Sequence, residues 1–182
     1  MGYDLFGAIG FAIITPLVIA GFIAFWILTN HERKQLEDTW RVFAAARGRD
    51  YEEATGEWPN RTSPAVQWHA EDVTYRLESR GREARAFTRL VARPTASVLG
   101  LVRIRADHGH IARASVRIAH SLVTAELEKR LMAFSHGDSV LFTYRRGRFV
   151  LEWPGREEND ARIAEGKRVL DAAVDAVRAA FA

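Results

Sequence analysis

Residues 5–28 read LFGAIGFAIITPLVIAGFIAFWIL, a run of 24 residues that carries no charge and has Thr15 as its only polar side chain. As an α-helix this run would be about 36 Å long, because each residue adds about 1.5 Å. The hydrocarbon core of a bilayer is about 30 Å thick, so the helix would span it with some tilt. The sequence therefore predicts a single transmembrane helix in this segment.

An apolar run of this length could also be a core helix of a soluble domain or a cleaved signal peptide. A core helix of a soluble domain normally shows a polar stripe and is usually shorter than about 18 apolar residues, which does not fit residues 5–28. A secretory signal peptide normally opens with positive charge, whereas the segment before this run carries Asp4 and no lysine or arginine. We therefore expect an anchor that stays attached.

The charges that flank the run predict its orientation. Asp4 is the only charge before it, while Arg33, Lys34 and Arg41 follow it. Because basic residues are retained on the cytoplasmic side, we expect the N-terminus outside and the remaining domain in the cytoplasm. The predicted location is the inner (cytoplasmic) membrane of a bacterium, crossed once.

Five residues of the anchor carry specific expectations. The rings of Tyr3 and Trp26 lie near the two ends of the run, where amphipathic side chains favour the membrane interface. Pro16 removes a backbone donor near the middle and predicts a kink. Ala20 and Ala24 have the four-residue spacing that lets a partner helix approach closely, although small residues are common in membrane helices generally.

The composition limits the rest of the chain to one ordinary domain. The 182 residues include 26 basic and 23 acidic side chains, a formal net charge of +3. After the anchor about 150 residues remain, enough for one domain with its own core. Cysteine is absent, which excludes disulfides, thiolate metal sites and a cysteine nucleophile. Only three basic residues are lysines, so the positive charge is almost entirely arginine, which pairs well with phosphates and carboxylates.

The apolar periodicity changes along this domain. Asn30 can cap a juxtamembrane helix that ends near Gly48, and we expect this helix to continue from the anchor or to bend off it. A loop-rich stretch then runs to Pro64. Period-two patterns predict strands, and 3.6-residue patterns predict helices from Ser121 to near Gly137 and from about Asn159 onward. The predicted strands cover residues 65–69, 73–79, 84–92, 98–105, 111–119, 139–144 and 148–153.

Together these patterns predict an α+β protein, in which an antiparallel sheet of about six or seven strands is covered on one side by helices. In the strand over 111–119, Ala112, Ala114 and Val116 would face the core. We divide the chain into a transmembrane anchor over residues 1–29, a juxtamembrane helix over 30–49 and a soluble α+β domain over 50–182.

The chain carries no linear signature of a known active site. A glycine-rich phosphate loop, a dinucleotide fingerprint, a nucleophile elbow and a zinc-protease helix are all absent from the sequence. The fragment His108-Gly109-His110 could chelate a metal with His120 or His136, but a polar hairpin turn explains it better. Nothing places Glu126, Glu128 and Glu152 around one point. We therefore predict no catalytic residue, cofactor or metal, and no enzyme.

Arginines concentrate between residues 76 and 117. Ten arginines lie in this stretch against three acidic residues, and three more arginines surround a predicted hairpin turn at 145–147. This pattern predicts a basic sheet face whose partner is an anionic lipid surface or an acidic protein. Nucleic acid is the weaker candidate because few aromatic side chains accompany the arginines, and a solvated strand face remains the plain alternative. The predicted contacts are Arg85, Arg89, Arg113, Arg117, Arg145, Arg146 and Arg148.

Three segments carry a family resemblance. Residues 40–48 (WRVFAAARG), 87–89 (FTR) and 149–155 (FVLEWPG) resemble uncharacterised membrane-tethered α+β domains of GC-rich bacteria. In architecture alone, one N-out helix followed by a cytoplasmic sheet domain is similar to the H subunit of photosynthetic reaction centres. The resemblance implies a bacterial tethered domain and assigns no catalytic residue.

Two functions fit these observations. The first is a non-enzymatic accessory or structural subunit of a larger membrane protein complex, with a bioenergetic complex, photosynthetic or respiratory, as one form of it. The second is a tethered binding or sensor module that recognises an anionic ligand, a lipid headgroup or nucleic acid through the arginine-rich face. The expected partners are other membrane-protein subunits and the lipid bilayer, and the sequence names no small-molecule substrate.

Overall fold

The structure is a computed structural model that describes residues 3–56, 62–80, 86–117 and 120–180. It contains three α-helices: α1 (Tyr3–Ala45), α2 (Ala125–Phe134) and α3 (Asp160–Ala179). Its strands are β1 (Asp50–Glu52), β2 (Ala65–Ala70), β3 (Val73–Arg80), β4 (Phe87–Pro94), β5 (Leu101–Asp107), β6 (His110–Arg117), β7 (Ser139–Arg145) and β8 (Arg148–Pro154). The chain forms two compact units, Met1–Asp38 and Thr39–Ala182.

The first unit contains the predicted anchor. Among the described residues, one helical segment, Ile14–Ala45, is long and apolar enough to cross a membrane. Its large apolar side chains from Ile14 to Leu28 are all about half exposed or more, and Phe22 is 71% exposed. A core helix would bury these groups, so the core-helix alternative is wrong and the segment needs an apolar solvent.

The helix does not start afresh after the anchor. Of the two predicted arrangements, the juxtamembrane helix continues from the anchor, because α1 runs from Tyr3 through Pro16 and Asn30 to Ala45; Asn30 is therefore not an N-cap. The hydroxyl of Thr29 donates to the Phe25 carbonyl oxygen at 2.6 Å, so this polar side chain is satisfied within the helix. Neither Thr29 nor Asn30 interrupts the helix, which continues to Ala45.

Two arginines in the middle of the anchor should remove it from the membrane. An arginine at the centre of a spanning helix disfavours insertion by about 2.5–3.5 kcal/mol, so Ile19→Arg with Phe22→Arg should disfavour it by about 6 kcal/mol. We expect this double variant in the supernatant after alkaline carbonate washing and the unaltered chain in the pellet. Val42→Arg, at an exposed α1 position beyond the run, is the control. Release of the unaltered chain would contradict the anchor.

The second unit is built on one antiparallel sheet of eight strands. Their order is β1-β2-β3-β4-β8-β7-β5-β6, and every neighbouring pair is antiparallel. The predicted α+β class is confirmed. The eighth strand is β1, in a stretch predicted as loop. Three residues are too few for a period-two pattern to stand out.

Helices α2 and α3 cover one face of this sheet. Phe134 of α2 packs edge to face on Trp153, with ring centroids 5.2 Å apart. Gly166 of α3 lies against Phe134 and Leu151, where an added Cβ would be 3.4 Å from the leucine. The core therefore consists of alternate strand residues and the apolar stripes of the helices, including the predicted Leu127, Leu131, Ile163, Leu170, Val174 and Val177.

Both helix starts are capped by side chains. Thr124 accepts a hydrogen bond from the Leu127 backbone at 3.2 Å, and Asn159 accepts one from Ala161 at 2.9 Å. The predicted start at Asn159 is confirmed. The predicted start at Ser121 is wrong, because residues 120–122 form a single 3-10 turn before α2.

Strand β6 is the other correction. Ala112 and Ala114 were predicted to face the core, but both are exposed. Ala114 lies opposite Ile104, on the helix side of the sheet as the alternation predicts. However, β6 is the edge strand, and the helices cover it poorly. The period-two pattern gave the correct face for Ala114, but it revealed neither the register shift at Ala112 nor the position of the strand in the sheet.

Candidate functional site: the arginine-rich sheet face

The sheet face opposite α2 and α3 carries most of the arginines of the domain. Strand register places Arg76, Glu78 and Arg89 on neighbouring strands of this face, with Glu152 of β8 opposite Arg89. Arg105 and Arg113 lie opposite each other on β5 and β6. We call this surface the arginine face. It divides into two halves that differ in how their charges are compensated.

In the first half, which we call the paired half, carboxylates neutralise the arginines. The guanidinium of Arg89 lies 3.0 Å from Glu78 Oε1 and 3.2 Å from Glu152 Oε1, and all three side chains are largely buried. Arg76 contacts Glu52 Oε1 at 2.7 Å and Arg80 contacts Glu78 Oε1 at 3.2 Å. This network holds β1, β3, β4 and β8 together. Its charges are satisfied within the chain.

In the second half, the open half, arginines lack such partners. Among the residues that the structure describes, no carboxylate lies within 4 Å of any of these guanidinium groups. Arg105 donates to the Ser139 hydroxyl at 3.1 Å, which leaves its charge uncompensated. The open half comprises Arg93, Arg103, Arg105, Arg113, Arg117, Arg145, Arg146 and Arg148.

The register sets like charges directly against each other in the open half. Arg105 is the cross-strand partner of Arg113, and Arg145 is the partner of Arg148. Directly opposed like charges destabilise a sheet, whereas opposite charges in the same geometry stabilise it by about 0.2–1 kcal/mol. The folded protein therefore tolerates a repulsion that a bound anion would relieve.

The pKa values of two arginines reflect this contrast. A hydrogen bond to Glu52 raises the pKa of Arg76 in the paired half. Burial, and then repulsion from Arg89 and Arg93, lowers the pKa of Arg148 in the open half. Both groups remain charged at neutral pH. The guanidinium of Arg148 is therefore a cation that lies among other cations.

The hairpin between β7 and β8 projects a further arginine. Arg146 and Gly147 both have positive φ, at 53° and 72°, as a two-residue type I′ turn requires. The predicted tight turn is confirmed. Asparagine, aspartate or glycine is preferred at the first turn position, so an arginine there is conformationally unfavourable. The turn geometry therefore does not account for an arginine at this position.

Two open clefts lie on this face. The first, about 650 Å³, lies at the β7–β8 hairpin, with Thr143 and Val150 among its other lining residues and five arginines: Arg89, Arg93, Arg145, Arg146 and Arg148. The second, about 790 Å³, has an apolar part formed by Phe87, Leu101, Leu141 and Pro154, and four arginines: Arg103, Arg105, Arg113 and Arg117. Such surfaces suit carboxylate, sulfate or phosphate groups with some apolar area beside them.

The predicted contact residues have different positions. Arg113, Arg117, Arg145, Arg146 and Arg148 lie in the open half, while Arg85 lies outside the described residues. Arg89 is 13% exposed between two glutamates, so its role is structural. Sequence reasoning did not select Arg93, Arg103 and Arg105 as contacts. Their alternation with apolar residues on β4 and β5 was the available signal. Only the strand order showed that no carboxylate of the described residues pairs with them.

The other candidate residues form no chemical centre. His108 and Gly109, both with positive φ, form the β5–β6 turn, and the His108 ring lies 3.6 Å from Asp107. Within the described ranges, no group of three or more histidine, aspartate or glutamate side chains could hold a metal. Glu126 pairs with Arg130 at 2.6 Å and Glu152 with Arg89, so these carboxylates are held in ion pairs.

Comparison with known proteins reveals a likeness in structure. No protein-family model and no curated protein sequence matches the chain. The chain is similar in structure to the crystal structure of the mycobacterial trehalose monomycolate transport factor A, TtfA, with a TM-score of 0.56 and 14% sequence identity. The match covers 79% of this chain and 94% of that chain. At this identity the likeness shows a shared fold. It gives no support to the similarity with the reaction-centre H subunit.

Proposed function

We propose that this chain is a non-enzymatic accessory subunit of a larger membrane protein complex, anchored once in a bacterial inner membrane with its domain in the cytoplasm. In this proposal the open half contacts an acidic surface of a neighbouring subunit. The proposal rests on eight arginines that have no carboxylate partner among the described residues, on the same sheet face where other arginines are paired. Ala20 and Ala24 are the positions at which the anchor would meet a partner helix.

The tether favours this kind of partner. A domain anchored beside its target meets it at a high effective concentration, so a modest contact energy is sufficient for stable association. Arginines near a negative surface contribute about 1 kcal/mol each. A few unsatisfied arginines would therefore hold the domain on a neighbouring subunit.

The proposal also states which kind of membrane complex the chain would join. The structural relative is named as a trehalose monomycolate transport factor. We therefore favour an accessory role in a membrane transport complex over a bioenergetic complex, since the latter rests on architecture alone.

The non-enzymatic part of the proposal is supported by the way the carboxylates are used. Asp138 lies 2.7 Å from Arg162, and Asp171 lies 2.8 Å from Lys167. Ion-paired carboxylates of this kind hold the fold together. A general acid–base pair instead needs two carboxylates or histidines that share a cleft and have separated pKa values.

A second candidate is favoured by the apolar part of the second cleft. Leu101, Leu141 and Phe87 lie beside four arginines, an arrangement that would take the glycerol region and phosphate of an anionic lipid. Such a tethered lipid-binding module would bind short-chain phosphatidylglycerol, and not phosphatidylcholine, in the absence of any protein partner.

Native separation of mildly solubilised membranes tests the first candidate. We expect the chain to migrate with a much larger assembly at low salt and to leave it as salt rises, because screening weakens contacts of exposed charges. Migration as a lone species of 20.5 kDa plus its detergent, under the gentlest conditions, would contradict the proposal.

A further inference from the structure

Strand β6 has an edge that no described strand covers. It forms one end of the sheet and contains no proline, and it pairs with β5 from His110 to Arg117 except at Ala112, where the register shifts. In an antiparallel strand alternate residues direct their N–H and C=O groups away from the partner strand. Within the described chain, these outward groups have no backbone partner. A long free edge of this kind is a template for another strand.

The two faces of β6 differ in chemistry. Arg113, Ser115 and Arg117 lie on the arginine face, opposite Arg105, Arg103 and Leu101 of β5. On the other face, Ala114 is exposed and Val116 is partly exposed. A strand added beside β6 would therefore meet guanidinium groups on one side and small apolar groups on the other. Its own side chains would need to alternate between acidic and apolar.

The opposite edge of the sheet already shows this arrangement within the chain. There β1 reads Asp50-Tyr51-Glu52, pairs antiparallel with β2, and directs Glu52 to Arg76 at 2.7 Å. Tyr51 occupies the helix side, opposite Val66. A short acidic strand thus covers one edge and neutralises the arginine next to it, and the described chain supplies no equivalent for β6.

We propose that β6 accepts, by backbone pairing, an extended segment of a partner protein whose acidic side chains alternate with small apolar ones. This inference rests on the proposed function and identifies the part of the partner that binds. A second copy of the chain is a poorer occupant, because pairing of β6 with β6 would bring together arginines from both copies on the same face.

A synthetic probe tests the edge directly. The full chain in non-ionic detergent is mixed with a capped eight-residue peptide of alternating glutamate and valine. Peptide binding and amide hydrogen exchange over residues 110–117 are measured. We expect binding that slows exchange of the outward-facing amides at least about tenfold, since these amides gain hydrogen-bond partners. A lysine–valine peptide and the glutamate–valine peptide N-methylated throughout should not bind.

Variants of the chain give a second readout. Arg113→Glu with Arg117→Glu should weaken the glutamate–valine peptide at least about tenfold by placing like charges across the new pairing. The matched control is Arg168→Glu, an exposed position on α3 in the helix layer. Both variants change exposed positions only. If a variant folds poorly, the comparison of the peptides on the unaltered chain still tests the inference.

Four results would overturn the inference. Equal binding of the N-methylated peptide, or unchanged exchange over 110–117, would mean that the face binds acidic groups without strand addition. Slow amide exchange in β6 before peptide is added, together with a measured mass equal to that of a dimer, would show that a second copy occupies the edge. Failure of the peptide to bind a chain that still migrates with a complex would place docking elsewhere. In contrast, peptide binding by a chain that migrates alone would contradict only the proposed function.

Discussion

Replacing Arg103 and Arg145 together by glutamate is expected to release the chain from the proposed membrane complex without unfolding the domain. Both side chains are exposed in the open half and lack a carboxylate partner among the described residues. Each reversal removes an attraction of about 1 kcal/mol and adds a similar repulsion. The two reversals should therefore weaken association by about 4 kcal/mol, or about 1,000-fold.

The same double variant should keep its stability, which separates docking from folding. Glutamate at position 145 would face Arg148 across the β7–β8 pair and convert a repulsion into an attraction. We expect the free energy of unfolding to stay constant or rise by about 0.5 kcal/mol in denaturant titrations. A gain in stability joined to a loss of association indicates a surface kept for binding.

The control for this experiment is a double reversal in the helix layer. Lys129→Glu with Arg168→Glu changes the net charge by the same amount at exposed positions of α2 and α3. We expect the fraction of this variant that migrates with the complex to be unchanged. Equal losses from both double variants would mean that net charge, and not the arginine face, governs association. Full retention of the Arg103 and Arg145 variant would exclude the open half as the contact.

Local patterns were sufficient to predict the class of the fold. The stripe of Leu127, Leu131 and Phe134 and the cap at Asn159 depend on neighbours within a few residues, so the sequence displays them directly. The same holds for the apolar run of the anchor. Strand β1 was not predicted, because it forms by pairing with β2 and three residues show no pattern of their own. Local patterns also did not show that α1 continues through Asn30.

The functional face was predictable in composition but not in detail. The sequence shows many arginines, yet Arg89 and Arg148 look alike in it. Only the strand order, with β8 inserted between β4 and β7, places Glu152 beside Arg89 and leaves Arg148 among arginines. Contacts between residues 63 positions apart cannot be inferred from periodicity, so a buried structural arginine was predicted as a binding residue.

Replacing Arg89 by leucine should destabilise the domain strongly. The arginine lies between Glu78 and Glu152, and its removal leaves these largely buried carboxylates with fewer cations around them. Breaking a buried ion pair by deleting one partner costs about 3–5 kcal/mol, and the residual exposure of this site points to the lower end, about 3 kcal/mol. Chemical denaturation at neutral pH measures this loss. Arg103→Leu, an exposed arginine of the same face, should change stability by less than about 0.5 kcal/mol.

Replacing Glu152, the carboxylate that loses its cation in this variant, should then restore much of the lost stability. In Arg89→Leu with Glu152→Leu, Glu78 keeps its contacts with Arg76 and Arg80, so no largely buried charge is left without a partner. We expect this double variant to lie within about 1–1.5 kcal/mol of the unaltered chain, because replacing both partners of a buried pair is often nearly neutral. A double variant as unstable as the single one would show that Arg89 stabilises the sheet by packing and not by pairing charge.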